Sequence, residues 1–82
     1  MNKLTEIHPL GGYRLELAFS DGFRGVWDGE PMLARQGSLL VALREPDYFA
    51  RCFIDAGALC WPNGLELSPN RLREQVGVSE HA

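Results

Sequence analysis

The sequence predicts an α+β fold: an antiparallel meander of three strands, then a β-hairpin, with short helices between them and a C-terminal helix. Three observations carry this. Tyr13 to Phe19 alternates apolar and polar, with Tyr13, Leu15, Leu17 and Phe19 on one face, the period of a half-buried strand. Gly11-Gly12 and Asp21-Gly22 bracket it, and both pairs tolerate the positive φ that tight hairpin turns need. Beyond Asp28 the period changes, and Pro and Gly divide the apolar residues into short segments.

Taken in order, Leu4 to His8 alternates loosely and forms the first strand. Pro9-Leu10-Gly11-Gly12 turns the chain into the second strand, Tyr13 to Phe19. Ser20-Asp21-Gly22 turns it again, and Phe23 to Trp27 is the third strand, with Phe23 and Val26 apolar. Asp28 caps a short helical turn that has Pro31 near its start and Met32 and Leu33 packed inward. After Gln36-Gly37, Ser38 caps a second helix, Leu39 to Arg44, which Pro46 interrupts. Asp47 to Ala50 is a further helical turn.

Cys52 to Ile54 and Ala58 to Trp61 read as a hairpin around Asp55-Ala56-Gly57. Its register stays open. A two-residue loop at Ala56-Gly57 pairs Cys52 with Trp61 and puts Cys52 and Cys60 on opposite faces; a three-residue loop sets Cys52 opposite Cys60. Trp61-Pro62-Asn63-Gly64 fits a type I turn. Leu65 to Leu67 then runs extended. Ser68 and Pro69 start a helix over 69–76 with Leu72 and Val76 on its inner face, and Gly77 is its stop. Residues 1–77 are thus expected to be one domain and 78–82 a flexible tail carrying His81.

Composition narrows the classes of function. A chain of 82 residues, 45% apolar and 23% charged, is one small domain that buries only about 60% of its unfolded surface. No apolar run approaches the roughly 18 residues of a membrane span. Met1 to Glu6 lacks the apolar stretch of a secretion signal, so the expected compartment is the cytoplasm, where Cys52 and Cys60 stay free thiols. One Lys and seven Arg are scattered and outnumbered by 11 acids, which counts against direct nucleic-acid binding.

Four landmarks occur in order: Phe19-Ser20-Asp21-Gly22; Val26-Trp27-Asp28; Glu45-Pro46-Asp47-Tyr48-Phe49; and Trp61-Pro62-Asn63-Gly64 followed by Leu67, Pro69 and Leu72. Together they resemble the domain-of-unknown-function family 2442 (DUF 2442), small bacterial α+β proteins, over about residues 4 to 73. Two positions depart from the family pattern: Glu66 stands where Asp is common, and Trp27 where an aliphatic residue usually precedes the Asp. The resemblance implies a strand meander with short helices on one side. It also implies a stand-alone protein encoded beside another small protein in a toxin–antitoxin-like arrangement. Some members add a C-terminal helix-turn-helix, for which about six residues after the last helix are too few. It implies no enzyme activity and no catalytic residues.

The chemistry-bearing residues read first as structural. Asp21 with Gly22 makes a turn, and Asp28 caps a helix; they lie seven residues apart, at opposite ends of one strand and roughly 20 Å from each other. His8 has no ligand or acid at useful spacing, and no His/Cys cluster matches zinc, so no catalytic residue, metal or cofactor is expected. Cys60 in an apolar strand has its thiol pKa raised, not lowered. Gly22, Gly25 and Gly29 read as turn and bulge glycines. Only a cluster of Asp21, Glu66 and His8 about one cavity would signal an enzyme.

Trp61 reads as core, locking its turn with Pro62, Asn63 and Gly64. Trp27 stays open: if Val26 faces the core, Trp27 points outward beside Arg14, Glu16 and Arg24, and the four form the candidate interaction surface. Arg71 and Arg73 are about 200° apart on the last helix and form no stripe. The expected function is a non-catalytic protein-interaction or regulatory module whose partner is another small protein or a second copy. The alternative is a nucleic-acid-associated transcriptional module, and a small enzyme comes last.

Overall fold

Strands pair in sequence order because each turn is short. In the computed structural model, which describes residues 2–80 and side chains as far as 76, β1 (Leu4–Gly11), β2 (Arg14–Phe19) and β3 (Arg24–Asp28) form the expected antiparallel meander. The first strand runs past its expected end. Gly11 pairs with Arg14, so the turn is Gly12-Tyr13, and Pro9 lies inside a strand. An edge strand tolerates a residue without an N–H, and the register shifts between Pro9 and Gly11. At the other turn the Phe19 carbonyl accepts from Gly22 N–H and Asp21 Oδ1 accepts from Phe23 N–H.

That turn absorbs Phe23, so β3 starts one residue later than its pattern suggested. The register is not altered by this: Phe19 N–H still donates to the Phe23 carbonyl, and alternation from Phe23 runs through Gly25 to Trp27 on one face. Trp27 pairs with Leu15 and shares the core face; Val26 pairs with Glu16 and points outward. Trp27 is 4% exposed and Val26 41%. The expectation of an outward Trp27 is therefore corrected: the face of Leu15 and Leu17, both fully buried, decides its side. Gly25 makes no bulge, and pairs regularly with Leu17.

Three short helices follow: α1 (Glu30–Leu33), α2 (Ser38–Leu43) and α3 (Pro46–Phe49). Asp28 is not the cap of α1 that the sequence suggested: Gly29 takes that position, and Asp28, one residue earlier, accepts the Glu30 N–H on its Oδ1. Ser38 does not cap; it is the first helical residue of α2, and Gly37 takes the cap position without a side-chain bond. Arg44 Nε and Nη2 donate to the Leu33 and Arg35 carbonyls at the end of α1, and the Tyr13 hydroxyl donates to the Arg44 carbonyl. Four orphan carbonyls end every helix, and here a side chain from the next segment takes up part of that load.

The second sheet is β4 (Phe53–Asp55), β5 (Ala58–Cys60) and β6 (Glu66–Leu67), in that order. Phe53 pairs with Cys60 and Asp55 with Ala58, which selects the two-residue loop at Ala56-Gly57, both at positive φ. Cys52 and Cys60 consequently face opposite sides, and both are free. The Trp61–Gly64 turn closes with Gly64 N–H on the Trp61 carbonyl at 3.0 Å. The stretch read as merely extended becomes β6, with Leu67 beside Leu59. A backbone bond from Leu4 N–H to the Gly57 carbonyl, 2.9 Å, joins the two sheets.

The last helix, α4 (Pro69–Glu80), runs through Gly77 and does not stop there. Glycine inside a helix costs only about 1 kcal/mol relative to alanine, too little to end one by itself. The expected tail thus starts as helix, and its last two residues, with His81, lie outside the described residues. Leu72 and Val76 are buried as expected. Among the described residues no helix is long and apolar enough to cross a membrane.

Phe49 is the hub of the core. Its ring stacks near-parallel on Trp27 at 6.2 Å, tilts against Trp61 at 5.6 Å and meets Tyr13 edge-on at 5.4 Å. Its carbonyl accepts the Trp61 indole N–H at 2.9 Å. Gly29 is buried against this ring: a Cβ there would lie 2.9 Å from two Phe49 ring atoms and 3.0 Å from Trp27. Gly29→Ala is expected to lose about 1–3 kcal/mol, read as a fall in the urea midpoint at constant slope. An unchanged midpoint would mean that the rings yield.

Candidate functional site

Arg14, Glu16 and Arg24 do share the outer face of the meander, as expected, but with Val26 in place of Trp27. That face is an ion-pair ladder. Arg24 contacts Glu6 at 3.3 Å and Glu16 at 3.4 Å, and His8 Nε2 meets Glu6 Oε1 at 2.9 Å. The His8 bond, then Arg24, holds the Glu6 carboxyl below its ordinary range. Such exposed, screened pairs satisfy one another and leave little charge for a ligand.

The three residues whose convergence would signal an enzyme sit apart. His8 is on the ladder, Asp21 bonds Arg73 Nε at 3.1 Å, and Glu66 Oε2 lies 3.8 Å from the Cys60 sulfur. Arg73 is no merely solvated charge: its guanidinium lies 3.7 Å over the Phe23 ring, which pins α4 to the β2–β3 turn. Burial pushes the Cys52 thiol up to about 11, and burial with nearby Glu66 and Asp55 raises Cys60. Among the described residues no group of three His, Cys, Asp or Glu could hold a metal.

Turning Trp27 inward builds a different site. Its indole N–H donates to Gln75 Oε1 at 2.7 Å, fastening β3 to α4. Beside that bond opens a cavity of about 410 Å³. Trp27, Pro31, Met32, Leu67 and Leu72 supply its apolar lining, and Asp28, Arg35, Arg71 and Gln75 its polar one. A second cavity of about 470 Å³ adjoins it, sharing Met32, Arg35 and Leu67 and continuing along Leu39, Leu40 and Leu65. Asn63 holds both walls of that second cavity: Oδ1 accepts from Leu65 N–H, and Nδ2 donates to the Leu39 carbonyl at 2.9 Å.

Two of the sequence landmarks therefore border one furrow: Trp27-Asp28 at one end, and the Trp61–Gly64 turn through Asn63 at the other. Sequence reasoning missed Met32, Arg35, Leu67, Arg71 and Gln75 as neighbours. Their one legible signal was the angular separation of Arg71 from Arg73, which sends the two cations to different places on α4.

Two solution outcomes follow. The denatured, unreduced protein should titrate with two thiols against DTNB, and the native protein at pH 8 should react far more slowly; one thiol or none would overturn the free-thiol reading. Asp21 is held below its ordinary 3.8 chiefly by the Phe23 N–H, with Arg73 adding. A depressed folded pKa gives stability that is complete above the unfolded value and is lost as pH falls through the folded one. The loss of urea stability below about pH 4 should therefore be shallower in Asp21→Asn than in the wild type.

Comparison with known proteins adds a family and nothing finer. No curated protein and no solved structure matches the chain. The model of DUF2442, described as a protein of unknown function, matches residues 4–77 of the 82. The chain belongs to the DUF2442 family.

Proposed function

We propose that this chain is a cytoplasmic, non-catalytic protein-interaction module that works as one half of a small two-protein system. The observation that carries the reading is the furrow between β3, α1 and α4, with an apolar floor and two guanidinium groups, Arg35 and Arg71, at its edge. An apolar cleft with a few placed charges suits recognition better than proton transfer, which needs titratable groups brought together. The titratable groups singled out from the sequence serve local structure instead: Asp21 a turn, Asp28 the start of α1, His8 a surface pair. The toxin–antitoxin-like arrangement rests on the family resemblance alone and is analogy.

The test is affinity capture from lysate of the source cell, with and without nuclease, read by mass spectrometry. One stoichiometric, nuclease-resistant small protein is expected. Its recovery should fall about tenfold with the Arg35→Glu/Arg71→Glu double variant and stay unchanged with Arg14→Glu on the opposite, outer sheet face. Partners that vanish with nuclease would move the assignment to a nucleic-acid-associated module. An empty capture would end the two-protein reading.

A further inference from the structure

The arginines of this chain are mostly spent on the fold. Arg24 pairs with Glu6 and Glu16, Arg44 binds the carbonyls that end α1, Arg51 lies over the Tyr48 ring, and Arg73 bonds Asp21. Arg35 and Arg71 have no ion pair among the described residues, and both line the same cavity. The only carboxylate in that lining is Asp28, whose Oδ1 already accepts the Glu30 N–H. On a chain of net charge −3, the furrow is thus a locally positive place.

Shape narrows the ligand further. Each cavity, at about 410 and 470 Å³, is of the size that takes one small ligand, within the usual range of roughly 300–1,000 Å³. The two meet at Arg35, Met32 and Leu67. An occupant that fills both must place apolar groups on either side of Arg35 and negative charge near it. A polypeptide segment does this with alternating side chains, and a compact metabolite does not.

Resting on the interaction-module reading above, we propose that the joined furrow binds an acidic segment of a partner protein, with a large apolar side chain in each cavity and carboxylates on Arg35 and Arg71. The apolar anchors supply affinity, and the two guanidinium groups supply orientation and rejection of basic segments. Arg rather than Lys suits this role, because its planar fork takes a carboxylate with two hydrogen bonds.

The probe is a random dodecapeptide library displayed on phage, selected on the full chain and counter-selected on Arg35→Glu/Arg71→Glu. Circular dichroism and the urea midpoint establish that the double variant folds. The expected enrichment is for sequences with Asp or Glu between large apolar residues. Synthetic versions should bind about tenfold more weakly to the double variant and shift the fluorescence of Trp27, which lines the furrow, while Trp61 lies wholly inside. Binding should also weaken with salt.

Enrichment of basic or uncharged sequences, or none that the variant reduces, overturns the proposal. So does concentration-dependent self-association that the double variant abolishes, which would give the furrow to a second copy. The two readings fail separately. If lysate capture succeeds and display fails, the module stands and the acidic-segment site falls. If display succeeds and capture is empty, the site stands and the two-protein system falls.

Discussion

The ring of Phe49, held between Trp27 and Trp61, is the contact on which the rest of this protein depends. A chain of 82 residues has room for one thin core, and its two sheets are too small to stand alone. Phe49 sits on neither sheet. It comes from a single turn of helix and reaches the meander through Trp27 and the second sheet through Trp61. Its carbonyl also takes the Trp61 indole N–H, so the same residue settles a buried polar group that would otherwise go unpaired. Gly29 is the concession that lets the ring approach β3 closely.

Burial of Trp27 in that stack links fold to site. Once Trp27 faces inward, its indole N–H needs an acceptor, and Gln75 of α4 provides one. The helix is thereby set at a fixed distance from β3, and the space it leaves is the furrow. The site is thus not a separate addition to the fold. It is the gap between a helix and a sheet that two side-chain hydrogen bonds, Trp27 to Gln75 and Arg73 to Asp21, and the cation–π contact of Arg73 on Phe23 hold apart and together.

Most elements were legible because their signals are local. The alternation of Leu15, Leu17 and Phe19, the Asp21-Gly22 turn, and the Trp61–Gly64 turn depend on a few adjacent residues, and each occurs where its chemistry predicts. The side chosen by Trp27 was not legible. Val26 and Trp27 are adjacent and both apolar, so β3 by itself offers either face, and only the pairing of Trp27 with Leu15 decides between them. The furrow was illegible for a related reason. Arg35, Leu67 and Arg71 lie on three different segments, and nothing in their spacing says that they meet. Gly77 shows a weaker signal misread: a glycine marks a helix end only where the chain also has reason to turn.

The stitch between Leu4 and Gly57 has a consequence for how the molecule comes into being. Leu4 is made before Gly57, and its amide waits for a carbonyl more than fifty positions later. Asn2 likewise donates its amide to the Asn70 side chain, and Leu72 and Val76 complete the core from α4. The meander is thus completed by segments that follow it. A nascent chain that has exposed only the meander shows the apolar face of Leu15, Leu17 and Trp27 to its surroundings with nothing to cover it. That face is therefore covered only once α4 has followed it out of the ribosome.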